Sequence, residues 1–97
     1  MSPSAEPRLR AGVVGAGHMG QYHIIALMEL WDVELVGIVD QDFPRAQALA
    51  GTYGTKAFHD HRELAGLVDV ATVAVPTEQH FDVSRDLLEA GVHVLVE

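Results

Sequence analysis

Residues 9–20 read LRAGVVGAGHMG, an apolar run that leads directly into a stretch with three glycines. The apolar run predicts a buried β-strand over residues 9–14, and the apolar spacing that follows the last glycine predicts a helix that begins near His18. The Gly-x-Gly-x-x-Gly spacing therefore stands between a predicted strand and a predicted helix, which is the context in which it has a mechanical meaning. The stretch predicts a strand, a tight loop and a helix in succession.

The three glycines suit a loop that holds a pyrophosphate. Gly15 permits the sharp turn, Gly17 lets backbone N–H groups approach the phosphates, and Gly20 lets the helix lie close to the strand. The helix N-terminus adds unpaired N–H donors and a partial positive charge, so an otherwise acidic chain can bind an anion there. The predicted contacts to a dinucleotide are Gly15, Ala16, Gly17, His18, Met19 and Gly20.

Short β-branched runs alternate with helical periodicity along the rest of the chain. This alternation predicts an α/β fold, a doubly wound and mostly parallel Rossmann sheet of five strands in the order 3-2-1-4-5. The predicted strands are residues 9–14, 33–39, 56–58, 70–75 and 92–96. Helices are predicted from His18, from Pro44 to Ala50, after Asp60 and from Thr77 to Gly91. The ligand crevice is expected where strands 1 and 4 diverge.

The apolar spacing also predicts which residues face the sheet. On the first helix it selects Ile24, Leu27, Met28 and Trp31. On the last helix, for which Thr77 is the predicted cap, it selects Phe81, Ser84 and Leu88. Strands 1, 2, 4 and 5 are nearly continuous in apolar residues, so we expect them to be covered on both faces.

Asp40 ends the second predicted strand, at about the distance from the first glycine that is expected of the carboxylate that binds the adenosine ribose hydroxyls. A carboxylate there would also face the 2′-phosphate of NADP, and like charges about 4 Å apart repel by up to about 4 kcal/mol at an effective dielectric of about 20. NAD is therefore predicted over NADP. Arg45 is the nearby cation that weakens this argument, and Asp42 adds a second negative charge.

Composition excludes several classes of protein. Fourteen acidic residues against six Lys and Arg leave a net charge of −8, which disfavours nucleic acid and anionic lipid as partners. The sequence has no cysteine, and Gly, Asp, Glu or His interrupts every apolar run, so neither disulfides nor a membrane span is expected. We predict a flexible tail over residues 1–8, one domain over residues 9–97 and a cytoplasmic location.

Four blocks of sequence resemble the N-terminal NAD(P)-binding domain of the Gfo/Idh/MocA family, the group of glucose-fructose oxidoreductase and inositol 2-dehydrogenase. The blocks are residues 14–20 with His23, Val39 with Asp40, residues 74–77 with His80, and residues 90–97. The resemblance covers nearly the whole predicted domain. The Val-Pro-Thr form of residues 75–77 is similar to that of members that act on nucleotide sugars.

The resemblance implies that the loop after strand 4 lies along the nicotinamide ribose. Val75, Pro76 and Thr77 are then cofactor contacts, and His80 has either a cofactor-side role or a capping role. Glu97 is a further cofactor contact implied by the resemblance, and it would begin a Glu-Lys-Pro motif whose lysine lies near the reacting carbon in the family. Because the sequence stops at this glutamate, we expect a chain truncated before the substrate domain, with no catalytic residue assigned and no independent turnover expected.

Three functions are compatible with these residues. The first is the cofactor half of an NAD-dependent dehydrogenase that transfers a hydride between nicotinamide and a secondary alcohol of a sugar, inositol or nucleotide sugar; the substrate class comes from the resemblance alone. The second is a stand-alone NAD-binding module without catalysis. The third, an S-adenosylmethionine-dependent methyltransferase, fits less well because Pro76 and its neighbours have no place there. The sequence leaves a homo-oligomer open.

His59 and His61 flank Asp60 and resemble a metal-ligand pair. No third ligand lies nearby in the sequence, and such pairs in short loops are usually solvated. We therefore expect no metal site.

Overall fold

The computed structural model describes residues 8–96 and contains one five-stranded parallel sheet in the order β3-β2-β1-β4-β5. The strands are β1 (Leu9–Val14), β2 (Val33–Val39), β3 (Lys56–Phe58), β4 (Val70–Val73) and β5 (His93–Val96). The helices are α1 (His18–Met28), α2 (Phe43–Tyr53) and α3 (His80–Glu89), with 3₁₀ turns at His61–Leu64 and Thr77–Gln79. The predicted fold class and strand order are confirmed. Of the predicted tail, all but Arg8 lies outside the described residues.

Strand β1 lies at the centre of the sheet and pairs in parallel with β2 on one side and β4 on the other. The side chains of successive β1 residues point to opposite faces of the sheet, as the pleat of a strand requires. Val13 packs in one core cluster with residues of α1 and α2, whereas Val14 packs in the other with residues of α3 and the first 3₁₀ turn. The sheet thus has a hydrophobic core on each face.

Leu64 anchors the core on the α3 side. It is fully buried and packs in the same cluster as Val14 and Val39. Two glycines of the central strands make room for this packing: a Cβ at Gly12 would lie 2.8 Å from Leu64 Cδ1, and a Cβ at Gly37 would collide with the Phe58 ring. The first 3₁₀ turn can therefore approach the sheet closely.

The predicted buried face of helix α1 is confirmed for two of its four residues and wrong for the other two. Ile24 is fully buried and Leu27 half-buried, but Met28 is 47 % exposed and Trp31 is 61 % exposed. Trp31 follows the end of the helix, so it cannot extend the helical stripe. Tyr22 and Ile25 are exposed apolar residues on the same helix. Because apolar residues occur on every side of α1, their spacing does not define a single buried face.

Helix α3 is rotated relative to the prediction. Its buried residues are Val83 and Leu87, whereas Phe81 and Leu88 are largely exposed and Ser84 is half-buried. The predicted cap is also wrong: residues 77–79 form a separate 3₁₀ turn, and the Thr77 side chain does not cap it. Val83 and Leu87 are four residues apart and form a second apolar stripe on this helix, and it is this stripe that meets the sheet.

The second half of the sheet is shorter and more exposed than expected. Strand β4 ends at Val73, two residues before the predicted end, and β5 begins at His93. In β5, Val94 is half-buried and the other three residues are exposed. The prediction that β5 is covered on both faces is wrong for residues 8–96, because β5 is the edge strand and only α3 packs against it closely. Among the described residues, no helix is both long and apolar enough to cross a membrane.

Candidate cofactor site

A cleft of about 830 Å³ lies at the carboxyl ends of β1, β2 and β4. The connections that follow β1 and β4 leave the sheet toward opposite faces, and this divergence opens the crevice where ligands of doubly wound sheets bind. The loop and helix residues that line the cleft include Gly15, Gly17, His18, Met19, Asp40, Gln41, Arg45, Val75, Pro76 and Gln79. The cleft is located where the strand order predicts it.

Gly15 forms the turn between β1 and the loop. Its φ angle is 97°, and a Cβ there would collide with the Ala74 carbonyl. The Gly15 N–H donates to the Val39 carbonyl at 2.8 Å, and the Ala74 N–H donates to the Val14 carbonyl at 2.8 Å. The ends of three strands are therefore joined by backbone hydrogen bonds at the base of the cleft.

Gly20 and Gly17 differ in what surrounds them. A Cβ at Gly20 would collide with the Gly15 carbonyl, so only glycine lets α1 pack this closely on the loop. A Cβ at Gly17 would meet nothing within 4 Å. The space beside Gly17 is therefore open to a ligand, and the backbone there is accessible.

The N-terminus of α1 faces the cleft with free hydrogen-bonding capacity. Gly17 is the N-cap residue, and no side chain within residues 8–96 caps this end of the helix. The first turn contains no acidic residue. The first N–H groups of a helix have no acceptor within the helix, so they are available to an anion. His18 and Met19 are exposed in this turn, whereas Ala16 is buried. These groups fit a pyrophosphate.

Asp40 connects the end of β2 to the glycine loop. It is only 8 % exposed, and its carboxylate accepts from the Ala16 N–H at 2.6 Å and from the Asp42 N–H at 2.8 Å. Arg45 Nη2 donates to both carboxylate oxygens, at 3.1 and 3.2 Å. Asp40 therefore braces the loop, a role that its position in the sequence did not reveal, and is ion-paired with the cation that the sequence places nearby.

The residues after β4 divide into two groups. Val75 and Pro76 line the cleft, but Thr77 and His80 are not among the lining residues. His80 Nε2 lies 2.8 Å from the Val75 carbonyl, and because a carbonyl only accepts, the imidazole N–H donates. His80 thus fixes the turn that carries Val75. Glu97 lies outside the described residues.

Several lining residues were not predicted. Gln41 follows Asp40 directly, and its amide donates to the Gln79 side chain at 3.4 Å, so the two residues bridge the cleft. Asp82 and Arg62 come from α3 and the first 3₁₀ turn. Gln41 was recognisable by adjacency to Asp40, whereas the others reach the cleft only through the tertiary fold.

The two histidines that flank Asp60 have separate partners. His59 stacks on Phe43 with ring centroids 3.6 Å apart, and His61 Nε2 lies 2.8 Å from Asp86. Within residues 8–96, no group of three His, Cys, Asp or Glu side chains is arranged to hold a metal ion.

Ion pairs hold the first 3₁₀ turn beside the cleft. The Arg62 guanidinium hydrogen-bonds the Asp60 carboxylate at 2.8 Å and holds the pKa of that carboxyl well below its usual range. The hydrogen bond from His61 likewise lowers the pKa of Asp86. The Asp60 pair thus stabilises the turn from within, whereas the Asp86 contact ties it to α3.

The sheet order, the glycine loop and the open helix N-terminus define a dinucleotide-binding Rossmann domain. Residues 9–97 match the family model described as "Oxidoreductase family, NAD-binding Rossmann fold", which is that of the Gfo/Idh/MocA proteins. The chain belongs to this family and is its NAD-binding domain. The predicted family and the predicted cofactor NAD are confirmed.

Several relatives of the chain are named as dehydrogenases. The chain is 34 % identical over 89 residues to UDP-N-acetylglucosamine 3-dehydrogenase of Acidithiobacillus ferrooxidans, a match that covers 92 % of this chain and 28 % of the relative. It is 32 % identical over 90 residues to inositol 2-dehydrogenase of Rhizobium meliloti, covering 92 % and 27 % of the two chains.

A solved structure with the same fold contains NAD. The crystal structure of GenD2 from gentamicin A biosynthesis, in complex with NAD, superimposes with a TM-score of 0.89 at 31 % identity. The match covers 94 % of this chain and 27 % of GenD2. The chain thus spans less than a third of the length of these relatives.

Proposed function

We propose that this domain is the cofactor half of a dehydrogenase that transfers a hydride between NAD and a secondary alcohol of a sugar, inositol or nucleotide sugar. One observation carries the proposal: the α1 N-terminus, the Asp40 carboxylate and the turn at Val75 and Pro76 all line the same cleft. The named activities of the sugar and inositol relatives support the substrate class.

Each wall of the cleft has a proposed role. The N–H groups at Gly17, His18 and Met19 would hold the pyrophosphate, while Gly15, Ala16 and Gly20 shape the loop. The Asp40 carboxylate would accept from the adenosine ribose hydroxyls. The turn at Val75 and Pro76 would lie along the nicotinamide ribose, with Thr77, His80 and Glu97 as its further predicted contacts.

Bound NAD would supply the redox chemistry, and the residues of this domain would bind and orient it. We assign no acid or base to residues 8–96, so the proposed part of this domain in the reaction is cofactor binding. A cytoplasmic location, a homo-oligomer and a carbohydrate-like substrate held by a further domain stay predictions.

Calorimetric titration of the chain with NAD tests the proposal. Asp40→Asn keeps the shape of the side chain but removes its charge, and because charged hydrogen bonds are the stronger ones, we expect NAD binding to weaken by about tenfold or more. Asp69→Asn is the matched control: Asp69 is also paired with an arginine, but it precedes β4, at the end of the sheet opposite the cleft. Equal affinities for all three proteins would refute the role of Asp40, and no binding of NAD to the unsubstituted chain would refute the proposed site.

A further inference from the structure

We propose that Met19 is an oxidation-sensitive site in the cofactor cleft: hydrogen peroxide converts its thioether to the sulfoxide, and the sulfoxide lowers the affinity of the cleft for NAD. The inference rests on the proposed function of the cleft, which is to bind NAD. It adds a modification site to that function and makes cofactor binding responsive to peroxide.

Met19 is accessible to a small oxidant. It is 45 % exposed and lines the cleft from the first turn of α1. Met28 is 47 % exposed but lies in the last turn of the same helix, about 14 Å along the helix axis from Met19. The third methionine of the sequence, Met1, lies outside the described residues. Met19 and Met28 therefore differ in position relative to the cleft and not in exposure.

The reaction is a two-electron oxidation of the Met19 sulfur. A lone pair of the sulfur attacks one peroxide oxygen, so the S–O bond forms as the O–O bond breaks. The departing hydroxide takes the proton of the transferred oxygen and leaves as water. Sulfur is oxidised and the peroxide is reduced, so one peroxide gives one sulfoxide and one water. The product is a polar side chain in place of an apolar one.

The sulfoxide oxygen competes with the pyrophosphate for the same N–H donors. A thioether is only a weak acceptor, so unmodified Met19 leaves the first-turn N–H groups of α1 free. No side chain within residues 8–96 caps this end of the helix, and its first turn contains no acidic residue. A sulfoxide oxygen carries a partial negative charge, and the flexible methionine side chain can turn it towards these N–H groups. It then caps the helix and repels the oxygens of a pyrophosphate.

The surroundings of the two methionines differ in the way this mechanism requires. A Cβ at Gly17 would meet nothing within 4 Å, so the Met19 side chain has room to turn towards the helix N-terminus. At the other end of α1, beside Met28, the helix groups without an intrahelical partner are carbonyls, which cannot donate to a sulfoxide. Oxidation of Met28 should therefore leave NAD binding unchanged.

The test is treatment of the unsubstituted chain, Met19→Leu and Met28→Leu with hydrogen peroxide, followed by removal of the peroxide and calorimetric titration with NAD. Each protein is compared with its own untreated sample, so that effects of the substitution itself cancel. We expect oxidation to weaken NAD binding by about fivefold or more in the unsubstituted chain and in Met28→Leu, since one helix cap has about this effect. Peroxide should not change the affinity of Met19→Leu. Methionine sulfoxide reductases should restore the affinity of the oxidised chain.

Protection by the cofactor gives a second readout. Peptide mass spectrometry follows the oxidation of Met19 and Met28 in the same sample, with and without NAD. When NAD is present at about ten times its dissociation constant, only about a tenth of the chain is free. Oxidation of Met19 should then slow by up to about tenfold, while oxidation of Met28 keeps its rate.

An unchanged affinity in a chain whose Met19 is oxidised, or a loss of affinity that persists in Met19→Leu, would overturn the inference. Equal protection of Met19 and Met28 by NAD would also overturn it. So would a loss of helical circular dichroism together with the affinity, since oxidation would then act by unfolding the chain. No binding of NAD to the untreated chain would overturn the proposed site as well, whereas NAD binding that peroxide leaves intact overturns this inference alone.

Discussion

At the scale of single residues, the glycines of the loop differ in what a methyl group would do. Gly15 adopts a positive φ angle against the Ala74 carbonyl, Gly20 touches the Gly15 carbonyl, and Gly17 faces open space. Steric contacts therefore account for Gly15 and Gly20, whereas Gly17 keeps the backbone accessible from the cleft. The sequence motif alone gives all three the same weight.

Gly20→Ala should disrupt the loop. Because its Cβ would collide with the Gly15 carbonyl, α1 must move away, and we expect a loss of about 1–3 kcal/mol in the free energy of unfolding together with weaker NAD binding. Urea denaturation and calorimetry measure the two effects.

Gly51→Ala is the matched control for this substitution. Gly51 lies inside α2, and a Cβ there would meet nothing within 4 Å. We expect a gain of about 0.4–1 kcal/mol, since alanine reduces the entropy of the unfolded chain. Equal stability changes in the two variants would contradict the steric account of Gly20.

Residue-level prediction from the sequence depended on local rules. The glycine spacing and the offset to Asp40 both follow from neighbours along the chain, so the sequence was sufficient to select these residues. The ion pair between Asp40 and Arg45 joins the end of β2 to the first turn of α2, so it depends on how the chain turns between them. The hydrogen bond from His80 to the Val75 carbonyl is of the same kind, because it depends on where α3 begins.

At the scale of elements, the first 3₁₀ turn is held by one buried side chain and by polar contacts at its ends. Leu64 is fully buried against the central strands. Asp60 and Glu63 form a reciprocal capping box around the turn, and His61 bonds Asp86 of α3. The turn is therefore a fixed part of the core and brings Arg62 to the cleft.

Leu64→Ala should lower the free energy of unfolding by about 2–5 kcal/mol, since it leaves a cavity beneath the turn. Leu67→Ala, at a residue that is 41 % exposed, should cost less than half as much. Adding Gly12→Ala to Leu64→Ala should recover part of the loss, because the new methyl group points into the vacated space. Urea denaturation measures all three; an additive penalty from Gly12→Ala would contradict this packing.

Elements were predicted unevenly. The bounds of β1, β2 and β3 agree with the sequence pattern because apolar runs and glycines delimit them. The predicted face of α1 was right for Ile24 and Leu27 only, because α1 is apolar on several sides. The predicted face of α3 was wrong because that helix carries two apolar stripes, and the one with Val83 and Leu87 is buried. Periodicity gives the angle between residues but not which face meets the sheet.

At the scale of the whole molecule, acid stability depends on paired aspartates. Arginine or histidine partners hold the pKa values of Asp60, Asp69 and Asp86 below their ordinary value of 3.8. A carboxylate whose pKa is lower in the folded chain adds stability above its unfolded pKa and loses it as the pH falls. These pairs therefore contribute fully above about pH 4, and their contribution disappears below it.

Unfolding free energies measured by urea denaturation should fall as the pH is lowered from about 4 to about 2, because the folded chain resists protonation of these carboxylates. Asp69→Asn should flatten this decline, and so should Arg10→Gln, because the Arg10 hydrogen bond is the main cause of the Asp69 shift. A decline as steep in both variants as in the unsubstituted chain would show that this pair does not contribute.

The strand order could be predicted because parallel neighbours need right-handed crossovers, which leave few arrangements of five strands. The exposure of β5 could not be predicted from the sequence. An apolar strand has the same sequence pattern whether or not residues 8–96 supply the side chains that bury it. The position of the cleft could be predicted from the strand order, but its polar lining could not. Gln79, Asp82 and Arg62 reach the cleft only because of how α3 and the 3₁₀ turns pack.

The central position of β1 also bears on the order of folding. Pairing of β1 with β2 closes a short segment, whereas pairing with β4 joins Ala11 to Val70 across most of the chain and pays more loop-closure entropy. We therefore expect the second wall of the cleft to form late in folding. A nucleotide that needs both walls cannot assist the early steps, so we expect it to lengthen the lifetime of the native state and leave the folding rate nearly unchanged.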